Sequence, residues 1–278
     1  MRFSERIGAT QPPKSGINEA PESLRTALWN ILHPKLFTET QSGNLLDWQV
    51  QIAGNIWDHI GWQTDQLVRS VWHARKQLKD QYWYKCPWYQ FFDLIEFAAG
   101  QLAAILEGSA RQATYTHLNS RLETQGCPYR FVAEQLAPIT NPVELSEVGR
   151  ASDSAIPAVS THIRTALSLL PPNPSPDARN SIKESISAVE AALRNFSGDA
   201  SATLAGGLQV FEKKHGPIHP ALRKGLNNLY GYTSDEHGIR HALSDEAGNI
   251  TIDDAKFMLV ICSAFANYLI ALSAKVAS

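Results

Sequence analysis

Apolar residues recur along most of this chain at steps of three and four, the period of a helix with one buried face. Leu24, Leu28 and Ile31 make a first stripe, opened by Pro21 and Glu22 in the manner of a helix start. Leu45, Trp48, Ile52, Ile56 and Ile60 make a second. Trp62 to Gln77, with Leu67, Val68, Val71 and Trp72, predicts a third. After an aromatic connector at 82–88, Pro87 begins a helix carrying Trp88, Phe91, Phe92, Ile95, Phe97, Leu102 and Leu106. It is apolar around nearly its whole circumference and is expected to be central. Arg111 to Glu123 is a shorter helix, broken by Gly126, Cys127 and Pro128. Only Tyr129 to Ile139 alternates with a period of two, so one or two short strands are expected there and nowhere else.

Asn141 followed by Pro142 is the signature of an N-cap and first helical position. Helical material resumes from Ile163 to Leu170 after a soft break at 153–157. Four prolines within 171–176 then interrupt the chain, and extended backbone is expected there. We place the domain boundary at this segment, giving a helical module over 1–170 and a bundle over 177–278. In the bundle, Asp177 precedes a clean stripe of Ile182, Ile186, Val189, Leu193 and Phe196, closed by Gly198. Helices follow over Thr203 to Lys214, Pro220 to Tyr230 and Asp253 to Lys275. The fold class is mainly α, with a small β hairpin.

Composition narrows the picture. The 278 residues are 44% hydrophobic and 19% charged, enough apolar material for a core without staples. The formal net charge of −2 offers no global attraction to nucleic acid, so any such site must be a local patch. Cys86, Cys127 and Cys262 are widely spaced and form no CxxC pair, which predicts free thiols in a reducing cytoplasm. Cys262 sits in an apolar run and reads as core. The charged start, with no apolar stretch behind it, predicts no signal peptide. No uninterrupted run of 18 apolar residues occurs, so no membrane span is expected; Ser263, Asn267 and Ser273 interrupt the longest candidate, Phe257–Ala274. The tryptophans crowd between Trp29 and Trp88, but they read as core because the rings are not interleaved with Lys or Arg.

Candidate chemistry concentrates between Leu229 and Asp245, where two histidines, an arginine, three acids and two tyrosines surround glycines between helical segments. No phosphate-binding glycine loop, zinc-protease motif, paired cysteines or hydrolase elbow is present, and neither metal nor cofactor is expected.

Three segments of the second half resemble HEPN domains: Ser181 to Ala191, Ile218 to Leu222 with Leu229 to Asp235 and Gly238 to Leu243, and Asp254 to Leu269. The first half is similar to the N-terminal module of the abortive-infection J (AbiJ) family of bacterial anti-phage proteins. The residues that carry this likeness are 1–8, Leu28-Trp-Asn, Tyr129 to Val132 and Pro138 to Thr140. The resemblance implies an anti-phage effector whose helical bundle forms homodimers and acts on RNA as a metal-independent endoribonuclease toxin. It also implies a trigger from the phage or a partner protein, read by the N-terminal module. In such chemistry a histidine near neutral pKa moves the 2′-OH proton and an arginine stabilises the charge on phosphorus.

The HEPN pattern spaces Arg and His by four to six residues, and this chain departs from it. Arg240 lies directly beside His241, about 100° away if helical. His241, Arg240 and Asp235 are the candidate catalytic residues; a capping role is the competing reading. Candidate RNA contacts are Lys183, Tyr232, His237, Arg223 and Lys224, against which stand a solvated helix face and packing at the loop base. A non-catalytic adaptor that binds a protein or RNA partner is the alternative function.

Overall fold

A computed structural model of the chain describes residues 3–38, 43–67, 70–171, 176–234 and 250–276. These residues are mainly helical, with one small antiparallel hairpin. Contacts divide the chain into two compact units, Met1–Leu136 and Ala137–Ser278.

The first unit holds α1 (Phe3–Arg6), α2 (Glu22–Leu36), α3 (Asp47–His59), α4 (Val71–Gln77), α5 (Trp88–Ile105), α6 (Gly108–Thr124) and the strands β1 (Arg130–Val132) and β2 (Gln135–Ala137), the second strand ending at the division. In α2 Leu24 and Leu28 of the expected stripe are buried and Ile31 is partly so, while Leu32 and Leu36 continue the buried face. Helix α5 buries Phe91, Leu94, Ile95, Ala98 and Leu102 and lies at the centre, as its apolar circumference predicts. The rings interlock edge to face, Trp29 on Trp83 at 4.9 Å and Trp83 on Phe91 at 5.3 Å. Trp57 and Trp83 are fully buried, so most of the tryptophan density is core.

The expected helix from Trp62 to Gln77 is shorter. Thr64–Gln66 is a single 3-10 turn and α4 begins only at Val71. Two interactions set that start. The Ser70 hydroxyl accepts from the His73 N–H, and the Val71 N–H donates to the distant Gly43 carbonyl at 2.9 Å. A π-helical turn, Leu78–Trp83, then leads out of α4.

The hairpin confirms the one predicted β segment. Asn119 clamps it from α6, its side-chain amide donating to the Phe131 carbonyl (2.8 Å) and accepting from the Phe131 N–H (2.7 Å). The two-residue turn places Ala133 and Glu134 at φ of 49° and 71°, the conformation tight hairpins require and side chains resist. An Arg111–Glu134 ion pair holds the turn.

The second unit comprises α7 (Pro142–Ser152), α8 (Pro157–Ser168), α9 (Ala178–Ser197), α10 (Leu204–His215), α11 (Pro220–Ser234) and α12 (Ile252–Val276). Helix α9 is its axis and packs against α8, α10, α11 and α12. Asp177 caps its start by accepting from the Asn180 N–H, and Gly198 closes it in the left-handed conformation. Polar groups on its buried face are satisfied internally: Ser181 donates to the Ala166 carbonyl at 2.8 Å, and Ser185 to that of Ser181 at 2.7 Å. The compact unit reaches back across the proline-rich segment, because α7 and α8 pack with α9 and α12. The segment's flanks are joined by the Asp177 N–H donating to the Leu169 carbonyl at 3.0 Å.

Helix α12 is the longest of the unit. Ile252–Ala274 is long and apolar enough to cross a membrane, despite its interrupting polar residues. In this unit it buries Met258, Leu259, Cys262, Ala266 and Leu269. Asn267 is turned inward as well, donating to the Glu147 carbonyl at 3.0 Å and its carboxylate at 2.9 Å. Cys262 is core, and full burial pushes its thiol up to about 12. All three cysteines are buried and free.

Where α10 crosses α9, Gly207 leaves no room: an added Cβ would lie 2.8 Å from the Leu193 Cβ. Gly225 of α11 faces open space. Gly207→Ala should therefore lower stability by about 1–3 kcal/mol through overpacking. Gly225→Ala should raise it by about 0.5–1 kcal/mol through helix propensity. Urea melts of the two variants check the opposite signs.

Candidate functional site

The stretch with the densest chemistry is carried between α11 and α12. Asp235, His237, Arg240 and His241 lie outside the described residues, so the site is built here from the helix ends that hold it. Helix α11 runs to Ser234. Near its end Thr233 is fully buried and donates to the Tyr230 carbonyl at 2.7 Å, which anchors the last turn. Helix α12 opens with a reciprocal cap. The Asp254 carboxylate accepts from the Thr251 hydroxyl (2.7 Å) and backbone N–H (2.8 Å), and the Thr251 hydroxyl accepts from the Asp254 N–H (3.2 Å). These bonds hold the Asp254 carboxyl below its usual range. Partial burial, and next the Asp254 charge, push the Tyr232 hydroxyl up.

Among the expected RNA contacts, Tyr232 is 46% exposed and presents its ring at the loop base. Lys224 is exposed on the same helix, about 80° around the axis from Tyr232. Arg223 lies about 180° from Tyr232, on the opposite side of α11. It is engaged there by Glu212 of α10 at 3.1 Å, a carboxylate that also accepts from the Ile218 N–H at 3.3 Å. Lys183 is exposed on α9. Its neighbour Glu184 is bound to the His162 Nδ1 of α8 at 2.7 Å, so this carboxylate serves the α8–α9 contact. Lys213 and Lys214 are exposed at the end of α10, and Lys214 donates to the Phe196 carbonyl at 3.0 Å. His215 packs its ring on Phe211 at 4.6 Å. Among the described residues, no three His, Cys, Asp or Glu side chains converge as metal ligands would.

Two sites in the first unit have no counterpart in the sequence reading. A 360 Å³ pocket is lined by His59, Asp93, Glu96, Phe97, Gly100 and Gln101. The His59 ring stacks on Phe97 with centroids 4.0 Å apart and planes 6° from parallel. Burial pushes both carboxyl groups up, offset at Glu96 by the Leu136 N–H donated at 2.5 Å and at Asp93 by His59. Spacing does contain this signal: Asp93, Glu96 and Phe97 fall three and four apart on one helix.

The second is a set of lysines over aromatic rings. Lys76 lies 5.9 Å from the Trp72 ring centroid and Lys79 lies 6.0 Å from that of Tyr84. The expectation that the rings are not interleaved with cations fails for these residues. The contacts run across about one turn of α4 and the π-helical turn, not between adjacent residues.

A family model described as AbiJ N-terminal domain 4 matches residues 1–154. Neither a curated protein nor a solved structure gave a match to the chain.

A raised carboxyl binds its proton more tightly folded than unfolded, so stability falls as pH rises through the window above the unfolded value. For Glu96 that reference is 4.5. Glu96→Gln keeps an acceptor for the Leu136 N–H and removes the buried charge. The variant should melt higher than the parent at pH 7, and the gap should close as pH falls below about 4.5, where both states of the parent are protonated. Thermal melts across that range test this.

Proposed function

The chain belongs to the AbiJ N-terminal domain 4 family, which its residues 1–154 match, and from that premise we propose a bacterial anti-phage effector of the abortive-infection kind. It works in the cytoplasm. The N-terminal module responds to a phage-derived trigger or a partner protein, and the C-terminal bundle acts on RNA as a HEPN-like domain. The observation that carries the RNA reading is the segment between α11 and α12, where His241, Arg240 and Asp235 are concentrated within a HEPN-like sequence pattern.

The chemistry follows from those residue types. RNA supplies its own nucleophile. His241 takes the proton from the 2′-OH as the O2′–P bond forms and the P–O5′ bond breaks. The Arg240 guanidinium stabilises the extra charge on the phosphoryl oxygens, and Asp235 orients the imidazole. The leaving O5′ is protonated, giving a 2′,3′-cyclic phosphate and a 5′-OH. Tyr232 and His237 are the proposed contacts to the bases, with Lys183 and Lys224 for the phosphates; Arg223 joins them only by giving up its Glu212 pair.

Pairing with a second copy is part of the same reading. Phe257, Ile261, Ala264 and Tyr268 recur at steps of four, three and four along α12. Phe257 is 58% and Tyr268 37% exposed. A homodimer covers that stripe and brings Arg240 of one protomer towards His241 of its partner, which answers the missing spacing. The second reading, a non-catalytic adaptor for a protein or RNA, is favoured by the adjacency of Arg240 and His241.

Incubation of purified protein with a labelled single-stranded RNA in EDTA separates the two. Cleavage of RNA and not of the matching DNA, lost by at least about 100-fold in His241→Ala with an unchanged melting temperature, is the expected result. Intact RNA in the presence of folded, dimeric protein favours the adaptor.

A further inference from the structure

The segment from Trp72 to Lys85 stands out in a chain of nearly balanced charge. It holds Arg75, Lys76, Lys79 and Lys85 against a single acid, Asp80, a net of +3 from four cations and one anion. Helix α4 and the π-helical turn bring these charges to one place. Lys76 pairs with Asp80 at 2.5 Å, and the Lys76 bond and then the Lys79 and Lys85 charges hold the Asp80 carboxyl low. Arg75 and Lys79 act together on His33, which burial first and these two charges next keep below its usual value. Arg75, Lys76 and Lys79 fall three and four residues apart, on one face of α4 and the π-helical turn, and Lys85 follows just beyond that turn.

Aromatic rings are set into that surface. Trp72 is 54% exposed while every other tryptophan is at least partly packed into the core. An indole this exposed, in the first turn of α4, contributes little to packing. Its ring has the Lys76 ammonium 5.9 Å away, and the Tyr84 ring has the Lys79 ammonium 6.0 Å away. The Lys76–Asp80 pair is exposed on both sides, 55% and 48%. Such a pair contributes little to stability, so a phosphate can replace the carboxylate at small cost.

We propose that this surface of the first unit binds single-stranded nucleic acid, a base stacking on Trp72 while Arg75, Lys76, Lys79 and Lys85 contact the phosphates. Only an unpaired base offers a free π face to a side chain, which selects single strands over duplex. Stacking and phosphate contacts do not read base edges, so binding is expected to be tolerant of sequence. This site lies apart in the chain from the α11–α12 segment and does not rest on the ribonuclease reading.

The test is fluorescence anisotropy of the full chain with labelled 12-nucleotide strands of RNA, of DNA and of duplex, over a range of salt. The deoxy strand lacks the 2′-OH and cannot be cleaved by the route proposed above, so its binding is read without turnover, and the Trp72 and Arg223/Lys224 variants assign it to one surface or the other. Both single strands should bind more tightly than the duplex. Trp72→Ala should weaken binding at least about fivefold, with Trp72→Phe retaining most of it. Lys79→Glu with Lys85→Glu should flatten the slope of log K against log salt by about 1.4, two contacts at about 0.7 each. Because Trp72 is exposed, circular dichroism melts of Trp72→Ala should match the parent. Equal binding by a folded Trp72→Ala protein, duplex bound as tightly as single strand, or no binding at all would each overturn the proposal. Loss of binding only in Arg223→Ala with Lys224→Ala would also overturn it, and would leave the RNA reading of the bundle standing.

Discussion

The buried guanidinium of Arg25 is the constraint on which the first unit depends. It is 7% exposed, and burial of a charge is tolerated only when its donors are met. Its Nε donates to the Ala20 carbonyl at 2.7 Å and its Nη1 to the Trp83 carbonyl at 2.5 Å. Its Nη2 donates to the Cys86 carbonyl at 2.8 Å. The Phe91 ring lies 4.5 Å beneath it, and the Trp83 indole donates back to the Arg25 carbonyl at 3.0 Å. Those bonds tie the start of α2 to the end of the π-helical turn and the start of α5. Each carbonyl left without its donor would cost about 1–3 kcal/mol. The turn that presents Lys79 and leads to Tyr84 and Lys85 is thus held from below by a buried charge.

The second unit solves a related problem with hydroxyls and caps. Helix α9 is packed on several sides, and its buried serines close bonds onto neighbouring backbone. Around it, the ends of α11 and α12 are fixed by Thr233 and by the Thr251–Asp254 cap. The segment with His241, which lies outside the described residues, joins these two anchored helix ends.

Much of this was legible from residue order. The stripes of Leu24 to Leu36 and Ile182 to Phe196 announce their helices, because a single buried face imposes its own period. Asn141, Asp177 and Gly198 mark ends through local geometry that residue type decides. What escaped depends on distant partners. The late start of α4 is set by Gly43, and the grouping of α7 and α8 with α9 is a matter of packing. Periodicity reports that a face is buried and not against what. Asn267 interrupts the apolar run of α12 in sequence, yet inside the unit it finds a carbonyl and a carboxylate. The lysines over Trp72 and Tyr84 were missed because stacking was sought between sequence neighbours. In the candidate site, residue type pointed to His241, Arg240 and Asp235. The opposite facing of Arg223 and Tyr232 needed the helix.

The most direct measurement is photo-crosslinking of the full chain to a single-stranded RNA carrying a photo-activatable uridine, with the attached peptides mapped by mass spectrometry. Engagement of RNA by both units requires crosslinked peptides from 70–89 and from 235–249. Crosslinks confined to other surfaces, or none from folded protein, would contradict it.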